Sequence, residues 1–175
     1  MRADFLHELD LIYNNEKLKD EVKNIEFEPY FKDNPNTDSW FAGPKSWLYA
    51  DIPDKPNTEI DSVRKQLKEL LGTNNVIFAV IKQKANTSVP VHSDKSAHKY
   101  QGSQQIKCAV NIQLNDPVGP INFPAYGLTN YKCALLNVFQ EHGVPVFEND
   151  RLFIKFKILD ISYQEALDNY LKNKK

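Results

Sequence analysis

Cysteine is scarce in this chain: Cys108 and Cys133 are the only two, and no C-x-x-C spacing occurs. That argues against a disulfide framework and against a structural zinc site. No apolar run approaches the length needed to span a bilayer. The opening residues, M-R-A-D-F-L-H-E-L-D, lack the pattern of a secretory signal. The expectation is a cytoplasmic protein whose two cysteines are buried thiols. An excess of charge of one sign is also missing: 22 Lys and Arg stand against 23 Asp and Glu, for a net charge of −1. Such a balance gives no electrostatic reason for a nucleic-acid or membrane partner.

What is present is a core. Hydrophobic residues make up 41% of the 175 and aromatic residues 11%, enough for one sizeable domain. The pattern divides it into a helical and loop-rich support region over 1–75, a strand-rich core over 76–158, and a C-terminal helix or tail over 161–175. Phe5, Leu6, Leu9 and Ile12 have helical spacing, and a second short helix is expected over 15–24. Residues 25–31 alternate and meet Pro29, which predicts a short edge strand. Trp40, Phe41, Trp47 and Tyr49 lie in or beside a loop-rich stretch over 32–58. They either line a pocket or plug the core. Thr58 opens a helix with the form of a capping box. Ile60, Val63, Leu67, Leu70 and Leu71 give that helix one apolar stripe, and Gly72 stops it.

From 76 onward short strands take over. V-I-F-A-V-I-K reads as a buried strand, and I-K-C-A-V-N-I-Q-L as another with Asn111 in its middle. An unpaired buried amide is costly. Asn111 therefore lines a cofactor cavity or is a hydrogen-bonded core amide. A-Y-G-L-T-N reads as a turn and C-A-L-L-N-V-F as a strand. V-P-V-F and R-L-F-I-K-F-K-I read as the last hairpin. On that final strand Leu152, Ile154, Phe156 and Ile158 share one face. Arg151, Phe153, Lys155 and Lys157 share the other, and if Arg151 looks into a cavity the two lysines belong at its rim. Ser162 is placed to cap a C-terminal helix.

His92 and Asp94 sit two apart in V-H-S-D. In an extended strand positions i and i+2 point to one face, so imidazole and carboxylate can enter one cavity. His142, from a later strand, can complete three ligands on one side of a metal. Two histidines and one carboxylate with open positions opposite form the facial triad of non-haem Fe(II) oxygenases. The polar stretch after Asp94, with His98 in it, is a candidate lid or substrate loop, and His98 itself reads as a solvated loop histidine.

The stretches V-H-S-D and H-G-V-P-V-F-E-N-D-R-L-F-I-K-F resemble the 2-oxoglutarate- and Fe(II)-dependent oxygenase superfamily. The family pattern is H-x-D, a distal His, and a basic residue opening the next strand. It covers residues 76–158 here and maps onto His92, Asp94, His142 and Arg151. The resemblance implies an α+β, mainly β chain: a double-stranded β-helix (jelly roll) with supporting N-terminal helices. It implies Fe(II) held by His92, Asp94 and His142, with 2-oxoglutarate as cosubstrate. Arg151 would take the far carboxylate of 2-oxoglutarate, since guanidinium matches a carboxylate with two parallel hydrogen bonds. The expected reaction consumes O2 and hydroxylates a small molecule or a protein side chain, releasing succinate and CO2.

One position departs from the pattern. Many members carry Arg-x-Ser, and here Phe153 stands in the serine's place. Asn111 is the first candidate to supply the missing cosubstrate contact. Two other classes stay open: a cupin-like metalloprotein that does not use 2-oxoglutarate, and a metal-free jelly-roll binding or structural module.

Overall fold

The computed structural model describes residues 4–29, 47–52, 54–94 and 105–174. Among these the chain is mainly β, with two antiparallel sheets and three helices. The strands are β1 (Leu6–Glu8), β2 (Glu28–Pro29), β3 (Trp47–Asp51), β4 (Val76–Gln83), β5 (Val89–His92) and β6 (Cys108–Gln113). They continue as β7 (Pro120–Phe123), β8 (Gly127–Asn130), β9 (Cys133–Leu136), β10 (His142–Val144) and β11 (Arg151–Ile158). The helices are α1 (Asn15–Val22), α2 (Glu59–Leu71) and α3 (Tyr163–Asn173). None is long and apolar enough to cross a membrane.

The larger sheet has seven strands in the order β1-β9-β6-β11-β4-β3-β2. Period-two alternation on β11 divides its two faces. Ile154, Phe156 and Ile158 point to one side and join a core with Ile60, Val63, Leu67 and Leu71 of α2 and Tyr163, Ala166, Leu167 and Tyr170 of α3. The two helices therefore cover the face that the apolar parity of β11 demanded. Each fully buried Leu there contributes about 1.5–3 kcal/mol by leaving water. Thr58 caps α2 by accepting the Asp61 N–H, and Gly72 ends it in the left-handed conformation at φ 67°. Ser162 and Glu165 form a complete capping box on α3.

The smaller sheet has four strands in the order β5-β10-β7-β8. Ile121 and Phe123 of β7 pack with Ala109, Ala134 and Leu136 of the larger sheet. The two sheets thus face one another, and the inward side of β11 looks at the smaller sheet.

Several expectations need correction. Residues 6–8 form a strand, not a helix: Leu6 lies opposite Leu136 on β9. The open edge of β9 offers backbone donors and acceptors that a helix could not satisfy, and this outweighs the local spacing. Ile12, counted in that helical stripe, is 86% exposed. Among its described residues the support region over 1–75 supplies three strands as well as two helices. Of the edge strand expected over 25–31, the described residues show β2 (Glu28–Pro29) at the edge of the sheet, and residues 30 and 31 lie outside them. Gly127–Asn130, expected in a turn, is strand β8, paired with β7 from Phe123↔Gly127 to Pro120↔Asn130. The last two strands are not a hairpin. β10 pairs with β5 and β7, whereas β11 pairs with β4 and β6. The chain crosses between sheets over 145–150, which puts His142 and Arg151 on opposite sheets. Trp40, Phe41, His98 and all but Gln105 of the lid candidate over 95–105 lie outside the described residues.

Candidate metal and cosubstrate site

His92 and His142 are cross-strand partners in the β5–β10 pair. Directly opposed residues in an antiparallel pair bring their side chains together, and here the ring centroids are 4.6 Å apart. Asp94 follows β5, tied down by its backbone N–H donating to Val138 O at 2.9 Å. One ligand atom from each of His92, Asp94 and His142 lies within 4.8 Å of the other two. The sequence pattern is thereby one cluster in space.

The donor chemistry fits a divalent metal. Nδ1 of His92 lies 2.8 Å from Pro90 O, and Nδ1 of His142 lies 2.8 Å from Gln140 O. A carbonyl can only accept, so each Nδ1 carries a proton, and Nε2 is the ring atom left to ligate a metal. Burial lowers His142 to about 4, with the Asp94 carboxylate pulling the other way, so the ring is neutral at ordinary pH. Burial on its own would raise the Asp94 carboxyl. The Lys155 charge, the hydrogen bond from His92 and the nearby histidine charges outweigh it and hold Asp94 far below the usual carboxylate range. A neutral His142 and an ionised Asp94 are in the protonation states a metal needs of such ligands.

Arg151 sits on the facing sheet and is 2% exposed. Its Nη1 donates to Gln83 Oε1 at 3.3 Å and to Pro120 O at 3.1 Å. Its Nη2 donates to Gln113 Oε1 at 3.4 Å and to Gly119 O at 3.3 Å. These bonds are longer than the usual N–H···O distance. All four acceptors are neutral, and Nε is buried without a partner among the described residues. Burial lowers the Arg151 pKa, while Tyr131 acts against that, but a guanidinium keeps its charge. A buried cation held by long bonds to neutral oxygens is suited to an incoming carboxylate.

Asn111 lies on β6 and is 6% exposed. Its Nδ2 donates to Tyr131 Oη at 3.1 Å, but its Oδ1 is buried without a partner among the described residues. Thr129 Oγ1, on the inward face of β8, is buried without a partner too. The orphaned Oδ1 of Asn111 marks the space beside Tyr131 as polar rather than sealed core. Asn111 therefore combines both sequence readings: one end is bonded, and the other faces a position with no protein partner.

Sequence reasoning missed four participants. Gln113 staples the turn at Gly119, donating from Nε2 to Gly119 O and accepting the Gly119 N–H at Oε1, both at 2.9 Å. Tyr131 joins Asn111 to the arginine. Gly119 leaves room for the Arg151 side chain. Lys155, expected at the rim, has a side chain only 16% exposed, and its Nζ lies 3.3 Å from Asp94 Oδ2. Its four-residue offset from Arg151 was the available signal, because both share the inward face of β11. The carboxylate of Asp94 is what draws the ammonium inward.

Phe153, in place of the family serine, lies between those two cations. Its ring is 5.9 Å from the Arg151 Cζ and meets Trp47 edge-on at 6.0 Å. Ala79 and Ile81 complete an apolar wall there, with Trp47 and Tyr49 packed against it.

No protein-family model and no curated protein matches this sequence. Solved structures do match the fold. The viral collagen prolyl hydroxylase vCPH from Paramecium Bursaria Chlorella virus-1, in its 2-oxoglutarate complex, aligns with a TM-score of 0.59 at 14% identity, over 88% of this chain and 95% of that one. A Pseudomonas putida prolyl-4-hydroxylase aligns at 0.59 and 14%, over 92% and 96%. An oxidoreductase of the 2OG-Fe(II) oxygenase family from Burkholderia pseudomallei aligns at 0.53 and 10%, over 82% and 76%. The fold is that of the 2-oxoglutarate/Fe(II) oxygenases. It agrees with the resemblance carried by the sequence motif.

Proposed function

We propose that this chain is an Fe(II)- and 2-oxoglutarate-dependent oxygenase built as a single double-stranded β-helix domain, working on a small molecule or a protein side chain in the cytoplasm. The observation that carries the reading is the His92–Asp94–His142 cluster, whose three ligand atoms lie within 4.8 Å, opposite the buried Arg151. His92 and His142 would hold the metal through Nε2 and Asp94 through Oδ1. Bound there, the metal and 2-oxoglutarate would supply oxidative decarboxylation with O2, giving succinate and CO2 and placing one oxygen atom into a substrate C–H bond. Arg151 would anchor the far carboxylate, with Tyr131 and Asn111 beside it. The facing sheets would keep bulk water from the reacting atoms.

Phe153 favours a second reading, a metalloprotein of the same architecture that does not use 2-oxoglutarate, because it removes a hydroxyl contact found in many relatives. Anaerobic titration with Fe(II) and then 2-oxoglutarate separates the two. A visible metal-to-ligand charge-transfer band is expected. It should vanish in His92→Ala and require more 2-oxoglutarate in Arg151→Ala. Fe(II) binding without the band would favour the second reading. No metal binding at all would leave a metal-free jelly-roll module.

A further inference from the structure

The two carboxylate oxygens of Asp94 have separate partners. Oδ1 lies 3.4 Å from His92 Nε2, toward the other ligand atoms. Oδ2 lies 3.3 Å from Lys155 Nζ. The arrangement is desolvated, since the Asp94 side chain is 11% exposed and that of Lys155 16%. Lys155 reaches this place because it points inward from β11, in register with Ala79 on β4 and Asn111 on β6. The small side chain of Ala79 leaves that neighbouring position open.

A lysine here has two physical consequences. A carboxylate with Oδ2 held by an ammonium presents one oxygen, not two, to a metal between the histidines. The ammonium also adds a positive charge to a centre that already receives a dication balanced by only one carboxylate. Repulsion between two cations in a water-poor site is weakly screened. Anions in the metal's open positions relieve it. Metal and anionic ligand then favour each other, and thermodynamic linkage makes the effect reciprocal.

We propose that Lys155 is a positioning residue for the metal centre: it fixes Asp94 as a one-oxygen ligand, and its charge makes metal and a 2-oxo acid bind together rather than independently. This rests on the metal reading above, so the test first reports whether wild-type protein binds metal at all.

The probe is Co(II), an absorbing stand-in for Fe(II), titrated without oxygen into the full chain with and without saturating 2-oxoglutarate. In wild type, 2-oxoglutarate should tighten Co(II) binding about tenfold or more. Lys155→Met should bind Co(II) alone more tightly than wild type and show a tightening about threefold or more smaller than wild type, the remainder coming from direct ligation of the metal by 2-oxoglutarate. Its Co(II) visible band should also change in intensity, as Asp94 becomes able to use both oxygens. Lys155→Gln keeps a donor to Oδ2 without the charge, so it should retain the wild-type band and show the same reduced tightening. Lys155→Arg should retain the tightening. Wild-type tightening in both Lys155→Met and Lys155→Gln would overturn the charge role. An unchanged Co(II) band in Lys155→Met would overturn the positioning role. Absence of Co(II) binding in wild type would instead reject the underlying metal reading.

Discussion

Arg151 runs across the backbone of Gly119. A Cβ placed on Gly119 would stand 2.7 Å from Arg151 Cδ and 3.0 Å from Cζ, with Nε closer still. The glycine is what lets a buried guanidinium lie flat against the turn and bond to its carbonyls. Gly119→Ala should therefore push the guanidinium off its position. Overpacking of this kind costs about 1–3 kcal/mol. The affinity for 2-oxoglutarate should fall about tenfold or more, as expected when a charge-assisted contact is lost. Metal affinity without cosubstrate should stay at the wild-type value, because no metal-ligating residue touches Gly119. Calorimetric titration of metal and of 2-oxoglutarate, run separately, checks this; a parallel loss of both would contradict it.

This relationship marks the boundary of what could be read from sequence. The grouping of these side chains was legible because it is local or patterned: His92 and Asp94 share one tetrapeptide, and Arg151 opens a strand of strict alternation. The parity of β11 also told which face the helices had to cover. The pairing of His92 with His142, the stapling by Gln113 and the crossing at Gly119 depend on which strands become neighbours, and local pattern carries no such information. The same holds for residues 6–8. Their spacing suits a helix, yet the vacant edge of β9 decides their conformation. Lys155 was placed on the correct face but not at the correct depth, because depth depends on a carboxylate delivered by the other sheet.

Phe153 stands where the pattern that the sequence resembles carries a serine, so introducing the hydroxyl tests whether the wall or the hydrogen bond matters more here. The ring is 5% exposed and supports both Trp47 and the Arg151 guanidinium. Phe153→Ser should destabilise the fold by about 3–5 kcal/mol, the range for emptying a buried aromatic position. It should also weaken 2-oxoglutarate binding, since Arg151 loses the surface it lies on. Urea unfolding together with cosubstrate titration measures both. Tighter 2-oxoglutarate binding in the variant would show that the missing hydroxyl outweighs the aromatic support.

The buried thiols set an alkaline limit. Burial pushes Cys108 and Cys133 up to about 12 from an ordinary value of 9.0, helped by Asp160 and Glu165 near the first and Asp10 and Glu8 near the second. The unfolded chain gives up these protons near pH 9 while the folded chain keeps them. Stability is then full below pH 9 and falls as pH rises toward 12, by at most about 1.4 kcal/mol per pH unit for each thiol. The urea midpoint should drop steadily over that window, and the double variant Cys108→Ala with Cys133→Ala should show a flatter profile. At pH 8 neither thiol of the folded protein should react with a disulfide reagent, whereas both should react in urea.

Tyr131 joins the larger sheet's polar residues to the arginine, and removing one oxygen atom isolates its role. Its hydroxyl accepts the hydrogen bond from Asn111 Nδ2 at 3.1 Å, and Asn111 Oδ1 is already without a partner. Tyr131→Phe therefore leaves a buried amide unpaired at both ends while preserving the ring that packs with Ala109 and Ile121. The cost of an unsatisfied buried donor is about 1–3 kcal/mol. If the space beside Asn111 and Arg151 receives the 2-oxoglutarate carboxylate, bound cosubstrate should give back part of that loss by offering Asn111 a new acceptor. The stability gap between Tyr131→Phe and wild type should then narrow when metal and 2-oxoglutarate are both saturating. A structural hydroxyl with no cosubstrate nearby predicts the same gap in both conditions. Thermal unfolding of the two proteins, with and without the pair of ligands, distinguishes these outcomes.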